Sequence, residues 1–435
     1  MKKLLFLAII IMLTASQNAL LAQYKAGDSL KFWTPSYIDW PSLQHIPQRH
    51  LTAVCKKAGD HCYVFVEKDA KQPEQKDIDQ VVKSFDEKFY DSLTFRYGPV
   101  PDALDHDPRI FILVINEPSW GGYYDPAQQM PDSMTMRIWN RHSSEHELVY
   151  VSATSFYNAE KITAHEFGHL LHWQQDHSPE PTINPIRYWE VAWIDEQFST
   201  FASVYLTADL YKKDVMDDLA FFVMEPDIPL IYFSNYDQVK LFMLFMFEQY
   251  GQWNYIQTLI RNQSDGIEGI AGTLKQLGYS VSFDDVFEQW IIANYIDDPV
   301  YENGKYYHAH YNFRKCKESA THTQLPVEKT DATVNPYAAD YISFNIEKGK
   351  KPFVVQFNGD ASKKFRLAFI LMNSKDNKVY KVVPVKPDAS AAATFSADAY
   401  GSEYDKVVMV VMSTDESIPE NSTASYSYSA GKKTK

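Results

Sequence analysis

The apolar pattern of this chain changes period part-way along, and that change limits the folds open to it. Up to about residue 296, helical spacing alternates with short all-apolar runs, whereas beyond residue 341 apolar and polar residues take turns. Ile78, Val81, Val82, Phe85, Phe89 and Leu93 predict an amphipathic helix from Asp77 to Phe95, with Asp77 and Asp79 where a helix N-terminus favours negative charge. Val239–Tyr250 is nearly solid apolar sequence, unbroken from Leu241 to Phe247; at that length it predicts a buried core helix rather than a membrane span. Further helices are expected from near Phe156 and over 188–211, 253–260, 266–277 and 283–296, the last opened by Ser282 and Asp285 as a capping box. Strands are expected at 63–66, 109–115 and 148–152, while 23–50 shows no stable period and is expected to wrap the surface.

In the C-terminal part, Phe365, Leu367, Phe369 and Leu371 fall on one face of a strand, as do Ala424, Tyr426 and Tyr428. Runs at 342–346, 353–357, 379–385 and 405–412 bring the expectation to about six or seven strands, a small antiparallel β-sandwich over 341–435. The stretch 316–340 reads as a linker or an irregular lead-in strand. The expected architecture is therefore α+β. A domain over 23–315, mixed α/β to about residue 175 and mostly helical after it, is followed by the sandwich.

Residues 1–22 stand apart. Lys2 and Lys3 precede an apolar run from Leu4 to Leu13, and Ala19-Leu20-Leu21-Ala22 supplies a small-residue cleavage site, the layout of a secretory leader. Export to the extracellular space, periplasm or cell surface is expected, with no transmembrane anchor. The formal net charge of -14 argues against nucleic-acid binding, which draws its affinity from clustered Lys and Arg. Of three cysteines, Cys55 and Cys62 flank a turn signal at Gly59-Asp60, and in an oxidising compartment they are expected to form a disulfide across a hairpin. Cys316 has no evident partner.

The chemistry concentrates in Ala164-His165-Glu166-Phe167-Gly168-His169-Leu170-Leu171-His172. Two histidines four apart project from one face of a helix, one turn above the other, and can reach a single zinc ion. Glu166 follows the first of them and can lean beside the ion to act on its water. A catalytic zinc needs a third protein donor. Glu196, in Trp193-Ile194-Asp195-Glu196-Gln197, is the preferred candidate if a second helix crosses the first; Glu190 is its rival. His172 is expected to be packed or to support a ligand, and Asp195 to orient a ligand histidine or sit in solvent.

These residues resemble the gluzincin metallopeptidases, and within them the secreted bacterial peptidases of the hyicolysin-like kind. The likeness extends to Val54-Cys55-Lys56, His61-Cys62-Tyr63, Gly121-Gly122-Tyr123-Tyr124-Asp125-Pro126 and Phe287-Glu288-Gln289-Trp290, across about residues 50–300. It implies a zincin-like domain, one catalytic zinc on His165, His169 and Glu196, and Glu166 as general base. It also implies Tyr236 as the donor to the oxyanion, and a polypeptide substrate cleaved internally. Gln197 stands where that family usually has glycine. The competing reading is a weak or inactive peptidase fold serving as a surface or secreted binding protein. Calcium suits an exported peptidase, but no Asp-rich loop places it. The Gly121-Gly122 stretch is expected to be a flexible rim or a plain turn, and the sandwich to contact substrate, a surface or glycan.

Overall fold

A computed structural model describes residues 23–36, 47–102, 104–176, 190–207, 220–309, 315–346 and 351–432; the expected leader over 1–22 lies outside them. Its first part is a mixed sheet of β1 (Ser29–Pro35), β2 (Gln48–Ala58), β3 (Cys62–Glu67), β4 (Ile110–Ile115), β5 (Gly122–Tyr124) and β6 (Leu148–Ser152). The strand order is β1-β2-β3-β4-β6-β5, with β3, β4 and β6 parallel and β5 antiparallel at the edge. Every residue of β3, β4 and β6 is buried, which is why these runs are apolar on both faces.

One helix was expected between β3 and β4. The chain instead forms α1 (Gln75–Ser84) and α2 (Tyr90–Tyr97), joined through a π-helical segment, Phe85–Phe89. The same apolar residues, Ile78 to Leu93, still face the core. α3 (Asp132–Trp139) precedes β6, and α4 (Ala159–Asp176) follows it and carries the two histidines.

Three expectations for this lobe are corrected. The segment before residue 50 contributes β1, because Phe32 is driven under the sheet against Phe65 and Phe111. The turn-rich stretch at 120–131 contains a strand, β5. Cys55 and Cys62 are free thiols. The hairpin is as expected, but Cys55 lies opposite Phe65 and Ala58 opposite Tyr63. Cys55 therefore shares a face with Phe65 and Tyr63, and Cys62 shares the other face with Val64 and Val66. Their side chains point away from each other across the sheet, so no disulfide can close without moving backbone.

The helical lobe comprises α5 (Ala192–Thr207), α6 (Ala220–Met224), α7 (Tyr236–Gln249), α8 (Trp253–Leu259), α9 (Gly266–Gln276) and α10 (Phe283–Ile296). Leu241 to Met246 of α7 are fully buried, and the Ser282–Asp285 capping box opens α10. None of the helices among the described residues is long and apolar enough to cross a membrane.

The C-terminal part has two sheets. One is ordered β13-β10-β15-β8 and the other β12-β11-β14-β9-β7. Their strands are β7 (Ala320–His322), β8 (Val327–Val334), β9 (Ala339–Phe344), β10 (Phe353–Gly359), β11 (Phe365–Met372), β12 (Val379–Val385), β13 (Ala392–Ala397), β14 (Lys406–Ser413) and β15 (Ala424–Lys432). β7 and β8 thus place residues of the expected linker within the sheets. Pairing is antiparallel except between β7 and β9. Phe365, Leu367, Phe369 and Leu371 face the sandwich interior as their alternation requires. Ala368, Ile370 and Met372, on the opposite face of β11, join the same core as the helical lobe. That sheet is buried on both sides, so the sandwich shares its core with the lobe before it.

Candidate metal centre

Helices α4 and α5 bring the site together, and Gly168 sets how closely they cross. A Cβ at Gly168 would lie 2.8 Å from the Cα of Ser199 and 3.0 Å from the Cβ of Ala202. The missing side chain lets α5 settle on α4, and Glu196, one turn before Ser199 and Thr200, then faces the two histidines. The Nε2 atoms of His165 and His169 are 3.2 Å apart. Glu196 Oε2 lies 3.3 Å from the first and 3.6 Å from the second. Ligands of a tetrahedral zinc at about 2.0–2.1 Å are about 3.3–3.4 Å apart along a tetrahedron edge, so the donor set fits that ion in type and spacing. His169 and Glu196 are buried, whereas the His165 side chain keeps 17% exposure, leaving one side of the trio open.

Around this trio the helices supply support. Asp195 reaches both neighbouring histidines, with Oδ2 2.9 Å from His169 Nδ1 and Oδ1 2.7 Å from His172 Nδ1. The contact to His169 is an ion-pair distance without good hydrogen-bond alignment. Burial opposes ionisation of Asp195, but the facing His169 and His172 imidazoles hold its pKa well below the usual carboxylate range. Glu196 is likewise desolvated, yet His169 and His165 pull it down to about 2. Ser199 donates its hydroxyl to Glu196 Oε2 at 3.3 Å, which helps to fix that carboxylate.

Glu166 is buried beside the trio. Desolvation pushes its pKa up to about 7, with Glu196 and Asp195 adding to the rise and the two histidines opposing it. Edge strand β5 passes directly over it: a Cβ at Gly122 would meet Glu166 Oε1 at 2.6 Å and Ile162 Cγ2 at 2.3 Å. Glycine at 122 thus serves a close approach, since any Cβ there would displace the Ile162 and Glu166 side chains, and its backbone is not in the left-handed region. Tyr236 is the first residue of α7, half-exposed, with its ring centroid 5.9 Å from that of His165. Partial desolvation, then the Glu196 and Glu166 carboxylates, push its hydroxyl pKa up, so it is a protonated donor at neutral pH.

The rival donor Glu190 lies elsewhere, grouped with His172 and Asp176 beyond the trio. His172 is buried, its ring packed against Phe198, which is the first of the two places expected for it. Gln197 is fully buried, and neither atom of its amide has a hydrogen-bond partner among the described residues. Sequence reasoning gave Gly122 only a turn or rim role and passed over Asp176. The helical spacing of Asp176, four residues after His172, was the available signal.

No family model matches the chain, and no curated protein matches it in sequence. Among solved structures it is similar to the pre-peptidase C-terminal domain of a collagenase from Bacillus anthracis, at 15% identity over 27% of this chain and 99% of that one, with a TM-score of 0.19. It is also similar to a mitogen from Yersinia pseudotuberculosis, at 13% identity over 26% of this chain and 90% of that one, TM-score 0.18. A family GH115 4-O-methyl-α-glucuronidase with specificity for decorated arabinogalactans aligns at 9% identity over 78% of this chain and 54% of that one, TM-score 0.17. Likenesses at these scores carry no argument about fold or activity.

Proposed function

We propose that this chain is a secreted zinc-dependent endopeptidase, with His165, His169 and Glu196 holding the zinc and Glu166 acting on the attacking water. One observation carries the reading. Two imidazoles and a carboxylate meet within 3.2–3.6 Å of one another, next to a buried carboxylate that belongs to none of those contacts. When bound, zinc supplies a Lewis acid that polarises the peptide carbonyl and makes water acidic enough to attack near neutral pH.

The protein's own groups do the rest. Glu166 accepts a proton from the attacking water and passes it to the leaving amine nitrogen, the work of a general base that becomes a general acid. Tyr236 donates its hydroxyl hydrogen to the oxyanion of the tetrahedral intermediate; its half-exposed place at the start of α7 lets it meet substrate from the solvent side. β5, an edge strand over Glu166, offers main-chain groups to an extended polypeptide. Asp195, 2.9 Å from His169 Nδ1, holds that ligand histidine in place from behind. The leader at 1–22 supports export.

The test is zinc content and casein hydrolysis of the purified protein beside Glu166→Gln. The expected result is bound zinc in both and hydrolysis only in the parent. Zinc in both with no hydrolysis in either would favour a binding protein on a peptidase fold, and equal hydrolysis in both would remove Glu166 from the mechanism.

A further inference from the structure

Beyond the zinc trio, α4 presents a second convergence of donors. We propose that His172, Asp176 and Glu190 form a separate binding site for a divalent transition-metal ion of the zinc class. Their ligand atoms all lie within 4.8 Å of one another, and they join the C-terminal end of α4 to the chain that leads into α5.

Each donor is already arranged for such a role. The His172 side chain is only 3% exposed, and its Nδ1 is engaged by Asp195 at 2.7 Å. That leaves Nε2 as the ligand nitrogen, and none of the described groups hydrogen-bonds it. A carboxylate on the far nitrogen of an imidazole is how proteins fix the tautomer and aim of a metal ligand. Glu190 Oε1 accepts from the backbone N–H of Val191 at 2.7 Å and of Gly266 at 2.9 Å, which orients the carboxylate and leaves Oε2 for another partner. Asp176 follows His172 by four residues, so helical spacing puts both on one face.

The electrostatics of the pocket call for a cation. Two carboxylates, Asp176 and Glu190, converge there on one imidazole, and a third, Asp195, lies on that ring's other nitrogen. Buried charges in proteins are normally paired or bound to metal. One imidazole with two carboxylates suits a zinc-class ion, whereas calcium takes six to eight oxygens and no nitrogen. Because Glu190 also holds the N–H of Val191, an ion here would pin the start of α5, the helix that carries Glu196. Asp195 touches His169 on one side and His172 on the other, so the two sites share one supporting carboxylate.

The experiment counts zinc by elemental mass spectrometry after chelation and equilibrium dialysis against buffered zinc. It compares the intact parent protein, an Asp176→Asn/Glu190→Gln variant and a His165→Ala/His169→Ala variant. The amide side chains keep the shapes of the carboxylates and remove only desolvated charge, so the first variant is expected to fold, as near-UV circular dichroism checks. The proposal expects the Asp176→Asn/Glu190→Gln variant to bind one zinc fewer than the parent, and the His165→Ala/His169→Ala variant to retain one. Binding of as many ions by the Asp176→Asn/Glu190→Gln variant as by the parent overturns the proposal. Loss of zinc only in the His165→Ala/His169→Ala variant also overturns it, while leaving the peptidase reading standing. Loss only in the Asp176→Asn/Glu190→Gln variant would uphold this site and remove the other.

Discussion

The two ends of the row of donors that runs along α4 from His165 to Asp176 are built alike and are held differently. Each offers a histidine, a second donor four residues later and a glutamate from the α5 side: His165, His169 and Glu196 at one end, His172, Asp176 and Glu190 at the other. At the first end the glutamate sits inside α5, which is pressed onto α4 at Gly168 and anchored by the buried Trp193, Ile194 and Phe198. At the second, the glutamate precedes α5 and is tied by two backbone N–H groups. Helical spacing alone aligns two donors; the third is placed by tertiary packing, and the quality of that packing is what separates the ends. Among the described residues, only the first end has a spare buried carboxylate, Glu166, so chemistry is expected there.

The sharpest way to break this contrast is therefore Glu166→Gln. It should cut peptide hydrolysis about 10²–10⁴-fold, the usual contribution of general acid–base catalysis, while zinc content stays at the parent level. A proportional loss of zinc would mean that Glu166 belongs to the ligand set, and the two ends would then differ in the number of donors instead of in chemistry. Tyr236→Phe comes next. Removing one oxyanion donor typically costs about 10²–10³ in kcat. An unchanged kcat would return Tyr236 to being an exposed residue that merely meets His165 and Phe233 edge-on.

How much of this was legible in the sequence follows the same division. The α4 pair was readable because residues four apart share a face whatever surrounds them. The choice between Glu196 and Glu190 was not, since each is within reach of a helix crossing and it takes the packing of α5 on α4, close at Gly168, to bring Glu196 to the histidines. The cysteines illustrate the opposite case: the hairpin was readable, yet pairing the two thiols needed the strand register, and the register puts them on opposite faces. In β11 the alternation identified the face toward the sandwich interior correctly, but the other face is as apolar because the helical lobe covers it. Local period reports one neighbour at a time, and a strand between two layers has two.

Asp195→Asn tests whether the ends are coupled. Loss of a supporting carboxylate usually weakens metal binding about 10–100-fold, and here the loss should appear at both sites, because Asp195 contacts His169 and His172. A change at the first site alone would uncouple them. Because Asn keeps the shape of Asp, this variant separates charge from packing.

Gly168→Ala probes the packing that distinguishes the two ends, and its effect is the smallest expected. The added Cβ would start 2.8 Å from the Ser199 backbone and 3.0 Å from Ala202 Cβ, neither of which can swing aside as a long side chain can. α5 must therefore shift, at a cost of about 1–3 kcal/mol by analogy with other overpacked cores. The shift moves Glu196 directly, since it lies within one turn of Ser199 on the same helix. Glu190 is also held by the backbone of Gly266, outside α5, and should move less. Thermal unfolding should fall, and zinc affinity should fall more at the His165–His169–Glu196 end than at the His172–Asp176–Glu190 end. Equal losses at both would show α5 and the chain leading into it moving as one body, and the difference in how the two glutamates are held would then have no energetic consequence.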